Sequence, residues 1–146
     1  MKVVVIAVGK IKERGLREAI DDYLKRIGRY AGCDEVELKD GSPAEVEARI
    51  ARAVPARARV VALEVGGEGW TSEGLARFVA RCESGAVPAI AFVIGGAYGL
   101  PPAFSAGADV RLSLSPMTLP HRLARLVLAE QIYRAFTILR HEPYSH

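Results

Sequence analysis

The chain has 146 residues, 50% of them hydrophobic and 25% charged, with a formal net charge of +3. That length carries one domain, residues 1–146, with its own core and excludes a two-domain layout, and no apolar run approaches the roughly 18 residues that a membrane span requires. The charge excess is too small to identify a nucleic-acid partner by itself.

The opening "MKVVVIAVGKIKERG" places a buried strand at Val3–Val8; Gly9 and the charges after it end the apolar run before a secretion signal forms, so a cytoplasmic location is expected. Leu16, Ile20, Leu24 and Ile27 then follow helical spacing. The seven basic and four acidic residues between Lys10 and Arg29 read as the solvated face of that helix. Glu35–Lys39 alternates as a half-exposed edge strand. "SPAE" (Ser42–Glu45) is a capping box with proline at the first helical position, opening a helix to about Ala53. Arg59–Val65 is the next strand, "GGEGW" (Gly66–Trp70) a loop, and Thr71 or Ser72 the cap of a helix that runs to about Ser84 and stops at Gly85. Ala89–Ile94 is a fully apolar strand, Pro101-Pro102 a helix start, Val110–Leu114 a last strand, "SPMTLP" a loop, and Pro120–Arg140 a long closing helix. This alternation predicts an α/β fold with a mostly parallel sheet and helices on both faces.

"GGAYG" (Gly95–Gly99) is neither the G-x-G-x-x-G dinucleotide fingerprint, which belongs after a first strand, nor a P-loop. Taken alone it reads as a tight turn or as bare backbone beside a ligand. The loops after Val65, Ile94 and Leu114 are glycine- or proline-rich and nearly uncharged, and a parallel sheet points them the same way, so they can close on one crevice. Backbone groups and apolar walls suit an adenine-and-sulfonium ligand better than a triphosphate. Cys33 and Cys82 stand apart, without a second thiol or histidine at ligand spacing, so neither a disulfide framework nor a metal site is expected. Between Leu119 and His141 the basic residues are Arg122, Arg125, Arg134 and Arg140, with His121 and His141, while Glu130 is the only acid. Glu130 and Arg134 are four apart and able to pair on the helix surface. Leu123, Leu126, Val127, Ile132, Phe136 and Leu139 give the closing helix apolar surface on more than one side, as for a helix packed on its own domain and on a partner.

"LSLSPMTLPHRLARLVLAEQIYRA" (Leu112–Ala135), preceded by "AFVIGGAYGL" and closed by "EPY", resembles the RlmH family of SPOUT methyltransferases over nearly the whole chain, including "IAVG" (Ile6–Gly9) at the start. The resemblance implies a C-terminal trefoil knot whose late loops wrap S-adenosylmethionine, a homodimer with a site completed across its interface, and methylation of N3 of a pseudouridine in 23S ribosomal RNA within the ribosome or large subunit. Carried over by position, it implies cofactor contacts at Leu63, Gly95, Gly96, Ser115, Pro116, Met117, Thr118, Leu119 and Pro120.

In "RHEPYSH", His146 or Glu142 is the candidate to take the N3 proton, Tyr144 to stack on the base or bond its carbonyl, and Arg140 to hold a phosphate. His121, Arg122, Arg125, Arg134 and Arg140 are the expected RNA contacts. The ending departs from the family's usual proline–tyrosine–histidine followed by lysine or arginine. Ser145 displaces the histidine by one position and no basic residue follows it. Two rivals stay in view: a SPOUT enzyme acting on transfer RNA, and, raised by the altered tail, a non-catalytic ribosome-binding factor of the same fold.

Overall fold

The computed structural model describes residues 1–144. Five strands, β1 (Lys2–Val8), β2 (Gly32–Leu38), β3 (Arg59–Gly69), β4 (Ala89–Ile94) and β5 (Val110–Ser113), form one sheet in the order β2-β1-β4-β3-β5. Every adjacent pair is parallel. Five helices alternate with them: α1 (Arg14–Ile27), α2 (Pro43–Ala53), α3 (Ser72–Ser84), α4 (Pro102–Ala106) and α5 (His121–Leu139). Steps toward the β2 edge cross by α1 and α3, and steps toward the β5 edge by α2 and α4, so all crossovers share one hand.

The strands bury both faces, and their period of two assigns each side chain to a layer. Val3, Val5, Val61, Ile90, Phe92 and Leu112 meet α1, α3 and α5 on one face. Val4, Ile6, Val8, Ala62, Ala91 and Val93 meet α2 and the α4 region on the other. The capping box forms as the sequence reads: the Glu45 amide donates to Ser42 Oγ at 3.2 Å, and the Ser42 amide to Glu45 Oε1 at 3.0 Å. Thr71 is the cap of α3, its Oγ1 accepting from the Gly74 amide at 2.9 Å.

Two boundaries differ from the sequence reading by more than one residue. β2 begins at Gly32, three residues before Glu35, because Gly32, Cys33 and Asp34 pair with Lys2, Val3 and Val4 of β1. β3 continues through the expected loop to Gly69: the ladder with β5 breaks after Leu63↔Leu112 and resumes at Glu68↔Leu112 and Gly69↔Ser113, a large bulge. Gly67 sits where a Cβ would lie 2.7 Å from the Arg111 carbonyl carbon, so only glycine lets the chain cross β5 there.

Candidate functional site

The carboxyl ends of β3, β4 and β5 open into one crevice of about 140 Å³. Leu63, Glu64 and Val65 contribute from β3, Ile94, Gly95, Gly96 and Gly99 from β4 and its loop, Leu112 and Leu114 from β5 and its exit, and Ser115, Met117 and Leu119 from the segment before α5. His121 and Ala124, on the first turn of α5, close the far wall. The three loops expected to converge do so, as neighbouring strand ends of a parallel sheet require.

The glycine loop takes the first of the two readings, and its backbone also lines the crevice. It is a closed turn: the Gly99 amide donates to the Gly96 carbonyl at 3.1 Å and Gly99 has φ +77°. Gly95 is bare because the returning leg passes over it, where a Cβ would lie 2.5 Å from the Gly99 carbonyl carbon. The same turn presents its backbone to the crevice. In the following segment, Ser113 Oγ donates to the Ser115 carbonyl and Ser115 Oγ accepts from the Met117 amide, both at 2.9 Å. That local turn brings Ser115, Met117 and Leu119 to the crevice, whereas Pro116, Thr118 and Pro120 do not line it.

The basic residues of α5 separate. Arg122 is half exposed, 3.5 Å from Glu13. Arg125, expected at the RNA surface, is instead buried at 2% exposure. Its guanidinium donates to Glu35 at 2.8 Å, to Glu37 at 2.6 Å and to the Gly9 carbonyl at 3.2 Å. It offers nothing to a nucleic acid; it fastens α5 to β2 and to the exit of β1. The sequence carried the signal, since Arg125 lies on the stripe of Leu128, Ala129 and Ile132 at three- and four-residue spacing. Arg134 pairs with Glu130 at 2.7 Å, as the spacing anticipated, and Arg140 with Glu83 at 3.0 Å.

The tail groups lie at the other end of α5. The helix reverses at His141, which has φ +53°, while the Glu142 amide donates back to the Thr137 carbonyl at 2.9 Å and the His141 amide to Ile138 at 3.2 Å. Tyr144 therefore returns onto the helix: its hydroxyl donates to Glu130 Oε2 at 2.9 Å and lies 3.4 Å from the Tyr23 hydroxyl. Its ring meets Tyr133 edge-on at 4.8 Å and the Arg134 guanidinium at 4.7 Å. Burial, then the bonds to Tyr23 and Glu130, push the Tyr144 phenol pKa upward. Glu142 accepts from Tyr30 at 2.5 Å, which pushes Tyr30 up to about 12. His146 lies outside the described residues.

Along α5, Glu130, where the Tyr144 hydroxyl is held, stands six residues beyond Ala124 of the crevice wall, about 9 Å at 1.5 Å per residue. Among the crevice residues that the sequence reading did not name as site residues, the charged one is Glu64, whose carboxylate accepts from the Ser105 hydroxyl of α4. Among the described residues no three histidine, cysteine or acidic side chains are grouped to hold a metal ion, and no helix is long and apolar enough to cross a membrane.

Residues 1–146 match the family described as "Predicted SPOUT methyltransferase". A protein of Sorangium cellulosum named ribosomal RNA large subunit methyltransferase H is 58% identical over 146 residues, covering 100% of both chains. One of the same name from Geobacter metallireducens is 44% identical over 153 residues, covering 100% of this chain and 99% of its own. Among solved structures, a probable methyltransferase from Bordetella pertussis superposes with a TM-score of 0.61 at 14% identity, covering 91% of this chain and 95% of that one. The fold, the late glycine-lined crevice and these full-length matches place the chain among the SPOUT methyltransferases, in the family of ribosomal RNA large subunit methyltransferase H.

Proposed function

We propose that this protein is a cytoplasmic homodimer that transfers a methyl group from S-adenosylmethionine to N3 of a pseudouridine in 23S ribosomal RNA, acting on the ribosome or large subunit. The observation that carries the cofactor reading is the chemistry of the crevice: apolar walls, a turn of bare backbone, one carboxylate, and neither lysine nor arginine on its lining. Such a set of groups fits a purine and a cationic sulfonium and offers nothing to hold a polyphosphate. The bound cofactor supplies an electrophilic methyl group. Leu63, Gly96, Ser115, Met117 and Leu119 would hold it, with apolar side chains excluding water and backbone groups available to the purine edge. The return of the chain from β5, at the sheet edge, through Ser115–Leu119 to the crevice between β3 and β4 supports the trefoil knot of the family.

N3 of the base must lose a proton as its lone pair attacks the methyl carbon in line. Within one chain Tyr144 folds back along α5 to Glu130 and Glu142 is held by Tyr30, neither of them on the crevice lining, so in this reading a second copy brings its tail there. The crevice suits that encounter, since its lining residues Val65 and Met117 are 54% and 78% exposed. Tyr144 would stack on or bond the base, Glu142 or His146 would take the proton, and Arg122, Arg140 and His121 would meet phosphates. The full-length identity to large-subunit enzymes supports ribosomal over transfer RNA.

The test incubates the protein with tritiated S-adenosylmethionine and ribosomes lacking the modification, then locates label after digestion. Label on N3 of a large-subunit pseudouridine is expected. Label on isolated transfer RNA alone, or cofactor binding without any transfer, would overturn the reading.

A further inference from the structure

The crevice is nearly devoid of side-chain charge, which makes its one carboxylate conspicuous. Glu64 follows Leu63 on β3 and lines the cavity, and no ion pair among the described residues involves it. Ser105, 6% exposed on α4, donates its hydroxyl to one Glu64 oxygen and so fixes the carboxylate from behind. The other polar side chains on the lining are Ser115, whose hydroxyl is engaged by the Met117 amide, and His121. The partner of the Glu64 carboxylate is that neutral Ser105 hydroxyl, so an entering cation meets a carboxylate without a counterion among the described residues.

We propose that Glu64 reads the charge of the methyl donor, so that the crevice favours the sulfonium form over the neutral thioether left after transfer. This rests on the reading of the crevice as the S-adenosylmethionine site. The two ligands share the purine, the ribose and the amino-acid group, and differ by the methyl group and one positive charge. When the bond from sulfur to the methyl carbon breaks, its electron pair stays on sulfur and that charge disappears from the cofactor. The attraction to Glu64 goes with it, and product release is eased while donor capture is not. Glu64 is thereby a specificity-determining residue and not a catalytic one. Ser105 acts through it by holding the carboxylate's orientation.

Calorimetric titration of the full chain with S-adenosylmethionine and, separately, S-adenosylhomocysteine tests this without any turnover. Glu64→Gln is expected to weaken the donor about tenfold and the product by no more than about twofold. Glu64→Asp, which keeps the charge, is expected to retain the preference, and Ser105→Ala to show a smaller loss in the same direction. Equal weakening of both ligands, which would mean that Glu64 holds a group they share, overturns the proposal, as does no change in either. Should Glu64→Gln fail to fold by circular dichroism, the Glu64→Asp and Ser105→Ala pair decides on the same criterion. Wild-type protein that binds neither ligand overturns the cofactor reading itself, and is distinguishable because the failure precedes any substitution.

Discussion

The two ends of α5 are built from opposite materials. At its N-terminal end, β3, β4 and β5 finish in glycine turns and apolar side chains, and what they enclose is shaped by backbone. Along its C-terminal half, Tyr23, Tyr30, Tyr133 and Tyr144 cluster with Arg26, Arg134 and Glu130, and what they form is shaped by rings and charges. A surface of the first kind encloses a small cofactor, while a surface of the second kind suits a nucleobase and its phosphates. The two surfaces stand about 9 Å apart along α5, from Ala124 to Glu130, and no residue of the aromatic cluster lines the crevice.

The strongest way to break this arrangement is to unfasten the helix. Arg125→Met removes the buried guanidinium that joins α5 to Glu35, Glu37 and Gly9, leaving Arg17 to satisfy both carboxylates. A loss of about 3 kcal/mol is expected in urea unfolding. Tyr144→Ala strikes the aromatic end alone: methyl transfer to ribosomes should fall on the order of 10²-fold, while calorimetric cofactor affinity stays unchanged. Gly95→Ala strikes the other end, forcing a Cβ against the returning turn; stability should fall by about 2 kcal/mol in thermal melts, and cofactor affinity with it. The smallest effect concerns Tyr30, raised from 10.0 to about 12 chiefly by its bond to Glu142. Its protonated form is favoured in the fold, so that contribution is full below pH 10 and disappears as pH climbs through about 12. Glu142→Gln should move one phenol transition downward in an ultraviolet titration and leave the crevice untouched.

Much of the frame could be read from single residues. Alternating strands and helices, the Ser42 box and the apolar run Ala89–Ile94 each depend on local spacing, and local spacing survives folding. What could not be read depends on distant partners. β2 starts early because β1 pairs with it, and β3 runs long because Gly67 allows a crossing over Arg111. In the site, Leu63, Gly95, Gly96, Ser115, Met117 and Leu119 were legible through motif and converge as expected. Arg125 was misassigned because a count of basic residues ignores which side of a helix each one faces. Glu64 was missed because its significance comes from Ser105, 41 residues later, and from the absence of charge around it.

The central claim is that a working site joins the crevice of one copy to the tail of another, and mixed dimers test it most directly. Leu119→Arg would block the crevice and Tyr144→Ala would disable the tail, each inactive as a homodimer. Subunit exchange between the two variants places one intact crevice beside one intact tail in each mixed dimer. Ribosome methylation should then recover to roughly a quarter of the wild-type rate, because half the dimers are mixed and each has one working site of two. No recovery, with mixed dimers demonstrated by mass spectrometry, would contradict a site shared between copies.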